Sequence, residues 1–132
     1  MGHQFTFVGN QFTLQVNDKE YFVDLLLYHR QLQSLVAVEL KVGEFQPEYK
    51  GKMEFYLSVL NDKVKLPNEN DAIGIIICKE KNRTVVEYSL KTSHQPIGVA
   101  TYTTQDKLPK IYRNFLPDSK MISEKMEQFF PK

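Results

Sequence analysis

The clearest pattern in the chain is a pair of apolar segments, residues 21–29 and 34–41, separated by the polar stretch 30–33. Both have strand length and are rich in leucine, valine and tyrosine, which predicts an antiparallel hairpin. With the loop at 30–33, the predicted pairs on one face are wholly apolar: Val23 with Leu40, Leu25 with Val38, and Leu27 with Val36. On the other face the pairs are Leu26 with Ala37, Tyr28 with Leu35, and the two acidic residues Asp24 and Glu39.

The rest of the chain supplies further elements for the same sheet. Upstream, segments 5–8 and 12–16 flank Gly9 and Asn10, which predicts two short strands joined by a turn. Downstream, the spacing of apolar residues predicts a helix from Pro47 to about Asn61, a buried strand at 72–78, a strand or short helix at 84–90, a strand at 97–102, and a capped amphipathic helix from Asp118. This order predicts an α/β fold with a central mixed β-sheet and flanking helices.

Composition narrows the classes of protein that the chain can represent. A length of 132 residues predicts a single domain, and 42% hydrophobic with 25% charged residues is typical of a globular protein. The net charge of +1 means that any attraction to nucleic acid must come from a local basic patch. The single cysteine, Cys78, excludes an intramolecular disulfide and a cysteine-based zinc cluster. No apolar run approaches the roughly 18 residues of a membrane span, and no signal peptide is visible, so a cytoplasmic protein is predicted.

Two carboxylates at one end of an apolar hairpin require a physical reason. Directly opposed residues have Cβ atoms only about 4.5 to 5.5 Å apart, where like charges repel. A bound divalent cation is the simplest explanation, because Mg²⁺ prefers carboxylate oxygens. Lys41 follows Glu39 by two residues and is predicted to project from the same face about 7 Å further along. An exposed strand end, with Asp24 paired to Lys41, is the alternative.

The tripeptide of an acidic residue, any residue and lysine is not informative alone, because it occurs three times, at 39–41, 48–50 and 118–120. The first copy differs from the others in its context. It lies in a buried-strand pattern, and Asp24 precedes Glu39 in matching register. A helix then follows, as the spacing after Pro47 indicates.

This arrangement resembles the core of the PD-(D/E)XK (restriction-endonuclease-like) phosphodiesterases. The residues at 7–9, 22–30, 38–45, 47–49 and 96–100 more closely resemble a bacterial family of nuclease-like proteins, the YhcG type, over nearly all of the chain through about Leu108. Val23 stands where the superfamily name has proline, and the helix that usually precedes the first strand is missing. In that family a helical N-terminal domain precedes the nuclease-like domain, so the resemblance implies that residues 1–132 are the C-terminal part of a longer protein.

The resemblance implies a metal-dependent nuclease that hydrolyses phosphodiester bonds in DNA. Asp24, Glu39 and the backbone carbonyl of Leu40 would bind Mg²⁺ or Mn²⁺, and Lys41 would orient the attacking water or neutralise developing charge. Tyr49 and Lys52 on the following helix are weaker candidates for nucleic-acid contact, and Lys52 also suits a solvated position. A homodimer would suit the cutting of two strands. A catalytically silent module that binds nucleic acid or protein, or a structural role in a larger assembly, remains the alternative.

Overall fold

The computed structural model describes residues 4–101, which form one five-stranded mixed sheet flanked by helices. The elements are β1 (Phe5–Val16), β2 (Lys19–His29), β3 (Ser34–Leu40), α1 (Glu48–Val59), β4 (Asn70–Cys78), α2 (Arg83–Leu90) and β5 (Ile97–Thr101). The strand order in the sheet follows the chain, β1-β2-β3-β4-β5. The first three strands pair antiparallel, and the last three pair parallel. The predicted α/β fold with a central mixed sheet is confirmed.

The predicted hairpin is the pair β2 and β3, in the register read from the sequence. Leu25 lies opposite Val38 and Leu27 opposite Val36, with residues 30–33 as the loop. Gln33 closes the loop in the left-handed region, at a φ of 54°. The paired register ends at Leu25, however, one residue before the carboxylates. The alternation of side chains between the two faces of the sheet breaks at Val23. This residue packs on the same face as Leu26, whereas the sequence predicted the face of Leu25.

The predicted pair of short strands around Gly9 and Asn10 is wrong, because β1 is a single strand of 12 residues. Phe7 lies opposite Leu27 but Gly9 lies opposite Leu26, so Val8 is an extra residue that shifts the register by one. Such a bulge bends a strand without ending it. Pairing along nearly the whole of β2 outweighs the local preference of Gly9 and Asn10 for a turn.

The parallel half of the sheet places both described helices on one face. Crossovers between parallel strands are right-handed in nearly all proteins, and two that advance in the same direction, from β3 to β4 and from β4 to β5, place their helices on the same face. The helices pack on that face mainly through Met53, Tyr56 and Leu57 of α1 and more lightly through Val85 and Leu90 of α2. A second apolar cluster, which includes Leu25, Val38 and Ile75, lies on the other face. The predicted buried strand at 72–78 is β4, between β3 and β5.

The remaining predictions concern the helices and the C-terminal part of the chain. The α-helical part of α1 ends at Val59 and continues as a π-helical turn, Leu60–Val64, rather than ending near Asn61. The ambiguous segment at 84–90 is helical, because the side chain of Asn82 caps α2 by accepting the Val85 N–H at 3.1 Å. Tyr102 and the helix predicted from Asp118 lie outside the described residues. Within residues 4–101, neither helix has the length and apolar character that crossing a membrane requires.

Candidate active site

Asp24 and Glu39 lie side by side where β2 and β3 separate, and a hydrogen bond runs in each direction between the two strands there. The backbone N–H of Asp24 donates to Glu39 Oε2 at 2.9 Å, and the backbone N–H of Leu40 donates to Asp24 Oδ2 at 2.9 Å. Each carboxylate therefore accepts a backbone donor of the opposite strand at the point where the regular pairing has stopped. The site is consequently built by the hairpin itself and lies at the carboxyl end of β3, where open α/β sheets commonly bind ligands.

Glu39 is almost fully buried, with 3% of its surface exposed, and its electrostatic environment is unfavourable. Burial raises the pKa of Glu39 to about 7, and the negative charge of Asp24 acts in the same direction. The Asp24 N–H, Lys41 and Lys52 oppose this rise without cancelling it. A carboxylate held beside another acid in a buried position is a ready ligand for a cation, because a cation offsets both the desolvation and the repulsion.

Lys41 lies beside Glu39, as the sequence predicted, but it also contacts α1. Its Nζ is 3.9 Å from Glu39 Oε1 and 4.8 Å from the centre of the Tyr49 ring. A cation over an aromatic face is attracted by the ring quadrupole. Tyr49 in turn packs edge-on against Phe45, with ring centres 6.0 Å apart. The ammonium is thus held between Glu39 and the first turn of α1, with a fifth of the side chain exposed.

A second lysine reaches the same pocket from the next turn of α1. Lys52 is exposed, and its Nζ lies 5.7 Å from the centre of the Tyr56 ring. Burial lowers the pKa of Lys52, but Tyr56, Glu39 and Asp24 together outweigh that effect and raise it, so the ammonium keeps its charge. Burial also raises the pKa of the Tyr56 phenol, with Glu39 contributing, which keeps the phenol protonated near neutral pH.

These groups line one open pocket of about 510 Å³. Its walls bring together all six residues singled out from the sequence: Asp24, Glu39, Leu40, Lys41, Tyr49 and Lys52. Two further lining residues, Gln11 and Tyr56, were not singled out as site residues. For Tyr56, its spacing of four residues from Lys52 on the predicted helix was a usable signal. Gln11 had no such signal, since its position depends on the bulge in β1.

The oxygen donors of the pocket fit a hard divalent cation. Asp24 and Glu39 offer carboxylate oxygens, and Mg²⁺ is commonly bound through one or two carboxylates while it keeps several waters. Among residues 4–101 no group of three or more His, Cys, Asp or Glu side chains could hold a metal ion, so a cation at this pair would take its remaining ligands from the backbone and from water. Cys78 is buried, and burial raises the pKa of its thiol to about 11, which suits a core residue.

Comparisons with known proteins agree with this geometry. Residues 1–117 match the family described as the YhcG PDDEXK nuclease domain. A curated relative from Escherichia coli (strain K12), "Putative nuclease YhcG", is 34% identical over 126 residues, which cover 96% of this chain and 31% of that protein. The chain therefore spans about a third of the length of that relative.

Two solved structures are similar to this chain at low sequence identity. The structure of an EndoMS-dsDNA2 complex has a TM-score of 0.51 at 13% identity, over 70% of this chain and 35% of the other. A repair endonuclease from Pyrococcus abyssi has a TM-score of 0.48 at 12% identity, over 74% of this chain and 37% of the other. The family match shows that the chain belongs to the YhcG PDDEXK nuclease domain family, and its fold is a restriction-endonuclease-like core.

Proposed function

We propose that this nuclease-family domain hydrolyses phosphodiester bonds in DNA, with Mg²⁺ or Mn²⁺ held by Asp24, Glu39 and the backbone carbonyl of Leu40. The observation that carries the proposal is the hydrogen-bonded pair of Asp24 and Glu39 beside Lys41. A fold without a cation to bind would gain from replacing a buried Glu39 whose pKa is raised to about 7. The pair is therefore best explained by a ligand that stabilises the ionised carboxylates.

Each residue has a role that follows from its place in the pocket. Asp24 and Glu39 would fix the ion between β2 and β3, and the ion would supply an activated water and charge stabilisation on the phosphate. Lys41, held over Tyr49, would orient that water or stabilise negative charge that develops on the phosphate oxygens. Lys52 would contact a neighbouring phosphate from the exposed surface of α1, which gives the nearly neutral chain the local positive charge that DNA binding needs.

DNA is favoured as the substrate by one further comparison. The EndoMS structure that shares this fold is described as a complex with double-stranded DNA. The chain spans only 31% of its curated relative. The proposal therefore also includes the substrate of the longer protein, an upstream helical domain and a homodimer. The cytoplasmic location stays a prediction.

The test is a cleavage assay on supercoiled, linear, branched and single-stranded DNA and on RNA, each with Mg²⁺, Mn²⁺ or EDTA. The 132-residue chain and a longer protein with its upstream region are compared. Glu39→Gln keeps the shape of the side chain and should reduce cleavage by at least about 100-fold, in the range that loss of one group that stabilises transition-state charge produces. Glu44→Gln, an exposed change on the loop after β3, is the matched control and should cleave normally.

Three results would separate the alternatives. Cleavage that requires the ion and Glu39 supports the proposal. Ion-independent binding of DNA without cleavage, in both the chain and the longer protein, would instead identify a silent binding module. Cleavage of RNA but not DNA would overturn the substrate and leave the chemistry in place.

A further inference from the structure

We propose that Gln11 is a positioning residue, which holds the Asp24 carboxylate in the orientation that a divalent ion requires. This inference rests on the proposed function, because it assumes that Asp24 is a ligand. Gln11 lies on β1, outside the hairpin that carries the acidic pair and Lys41. Its side-chain Nε2 donates a hydrogen bond to Asp24 Oδ1 at 3.0 Å.

The bulge in β1 is what brings Gln11 to the site. On the far side of the bulge Phe7 lies opposite Leu27, a register that would bring Asn10 to Asp24 if it continued. The extra residue Val8 shifts the register by one, so that Asn10 lies opposite Leu25 and Gln11 comes level with Asp24. Bulges occur preferentially beside active sites, where they re-aim a side chain. Gln11, Asp24 and Glu39 thus form a row across three strands.

The backbone of Gln11 adopts a conformation that glutamine disfavours. Its φ is 47°, in the left-handed region, where residues other than glycine, asparagine and aspartate are uncommon. A turn would explain such a value, but Gln11 lies within a continuous strand. Disfavoured backbone conformations persist where the surrounding structure imposes them, and they concentrate at functional sites. At Gln11 the disfavoured backbone conformation accompanies the amide contact with Asp24.

The two hydrogen bonds on Asp24 together fix the rotation of its carboxylate. Oδ2 accepts from the backbone N–H of Leu40, and Oδ1 accepts from Gln11 on the opposite side. Each carboxylate oxygen has two lone-pair positions, so both can accept these bonds and still offer an electron pair to an ion. The glutamine amide is neutral, so it orients Asp24 without repelling a cation, which a lysine or arginine at this position would do.

The test measures Mn²⁺ binding by calorimetry on the 132-residue chain, together with its melting temperature. Gln11→Ala and Gln11→Leu remove the amide donor, and Gln11→Gly removes the donor while relieving the left-handed backbone. Outer-shell partners of metal ligands typically contribute 10- to 100-fold to affinity. All three variants should therefore bind Mn²⁺ about 10-fold more weakly than the wild type.

The matched control is Gln33→Ala. Gln33 is also a glutamine with a left-handed φ, of 54°, but it lies in the loop directly before β3, roughly 20 Å along the strand from Glu39. This variant should bind Mn²⁺ as the wild type does. Gln11→Gly should melt no lower than Gln11→Ala. If Gln11 were only structural, the affinity for Mn²⁺ would follow the melting temperature across the variants; if it positions Asp24, the affinity falls equally whatever the melting temperature.

The outcomes are distinct. Wild-type binding with equal losses in the alanine, leucine and glycine variants supports the role of Gln11. Wild-type binding with affinities within about twofold in all three overturns that role and leaves the proposed function standing. An affinity that recovers in the glycine variant alone would show that the backbone, not the amide, matters, and would also overturn it. Absence of Mn²⁺ binding by the wild type would refute the metal site of the proposed function, and the inference with it.

Discussion

Replacing Glu39 by glutamine removes a buried negative charge while keeping the size and shape of the side chain. The glutamine carbonyl can still accept the Asp24 N–H, which now donates to Glu39 Oε2 at 2.9 Å. Because the raised pKa of Glu39 means that its ionised form is disfavoured in the folded protein, the metal-free variant should be more stable than the wild type at neutral and alkaline pH.

The size and sign of the effect follow from the pKa. An ordinary glutamate has a pKa of 4.5, and that of Glu39 is about 7. Below pH 4.5 the carboxyl is protonated in both the folded and the unfolded chain, so ionisation removes no stability. As the pH rises from 4.5 to about 7, the unfolded chain releases the proton first, and the folded state loses stability. Each unit of difference corresponds to about 1.4 kcal/mol, which sets a ceiling of roughly 3 kcal/mol above pH 7.

The measurement is urea unfolding followed by circular dichroism, in EDTA, at pH 4 and pH 8. At pH 8 Glu39→Gln should unfold with a free energy about 1 to 3 kcal/mol higher than that of the wild type. The ceiling already includes the attraction of Lys41, which lowers the pKa of Glu39, and the gain falls short of it because glutamine leaves a polar amide buried. At pH 4 the two proteins should agree within about 0.5 kcal/mol.

Two controls make the reasoning refutable. Glu44→Gln neutralises an exposed glutamate in the neighbouring loop and should change the free energy of unfolding by less than about 0.5 kcal/mol at either pH. Saturating Mn²⁺ should reverse the order at pH 8, since a ligand that binds only the folded wild type stabilises it by mass action. A wild type that is as stable as Glu39→Gln at pH 8 without metal would show that the buried charge carries no penalty.

Three further predictions concern packing and capping away from the carboxylates. Gly74→Ala should destabilise the fold by about 1 to 3 kcal/mol in urea, because a Cβ at Gly74 would lie 2.6 Å from Cγ of the buried Met53; an unchanged midpoint would mean that α1 yields freely. Asn82→Ala should cost about 1 kcal/mol through loss of the cap on Val85 N–H, whereas Asn82→Asp should retain it, as thermal unfolding can show. Cys78 should react with a thiol reagent at pH 8 only as fast as the domain opens, since burial raises its pKa to about 11; rapid labelling of the native protein would contradict its placement in the core.

The sequence alone was sufficient for the hairpin and its acidic pair. The side-chain period of a strand is two, and a slip of one residue would move Leu25 and Leu27 from one face to the other, so burial leaves a single workable register. The same register, extended one pair beyond the regular ladder, placed Asp24 near Glu39 and Lys41 near Glu39, whereas the predicted packing of Val23 with Leu40 does not form. The continuous apolar run of β4 likewise identified a strand covered on both faces.

Only the tertiary structure decided which residue of β1 contacts the acidic pair. Locally, Gly9 and Asn10 favour a turn, and nothing in their neighbourhood indicates that β1 continues. Pairing with β2 overrides that preference, inserts Val8 as a bulge and brings the Gln11 amide to within 3.0 Å of Asp24 Oδ1. The tertiary packing also leaves Glu39 only 3% exposed, and this burial, with the negative charge of Asp24 beside it, raises its pKa to about 7. Hydrophobic periodicity depends on neighbouring residues and can therefore be read from the sequence. The register between two strands depends on contacts between separate segments, which no short stretch of residues encodes.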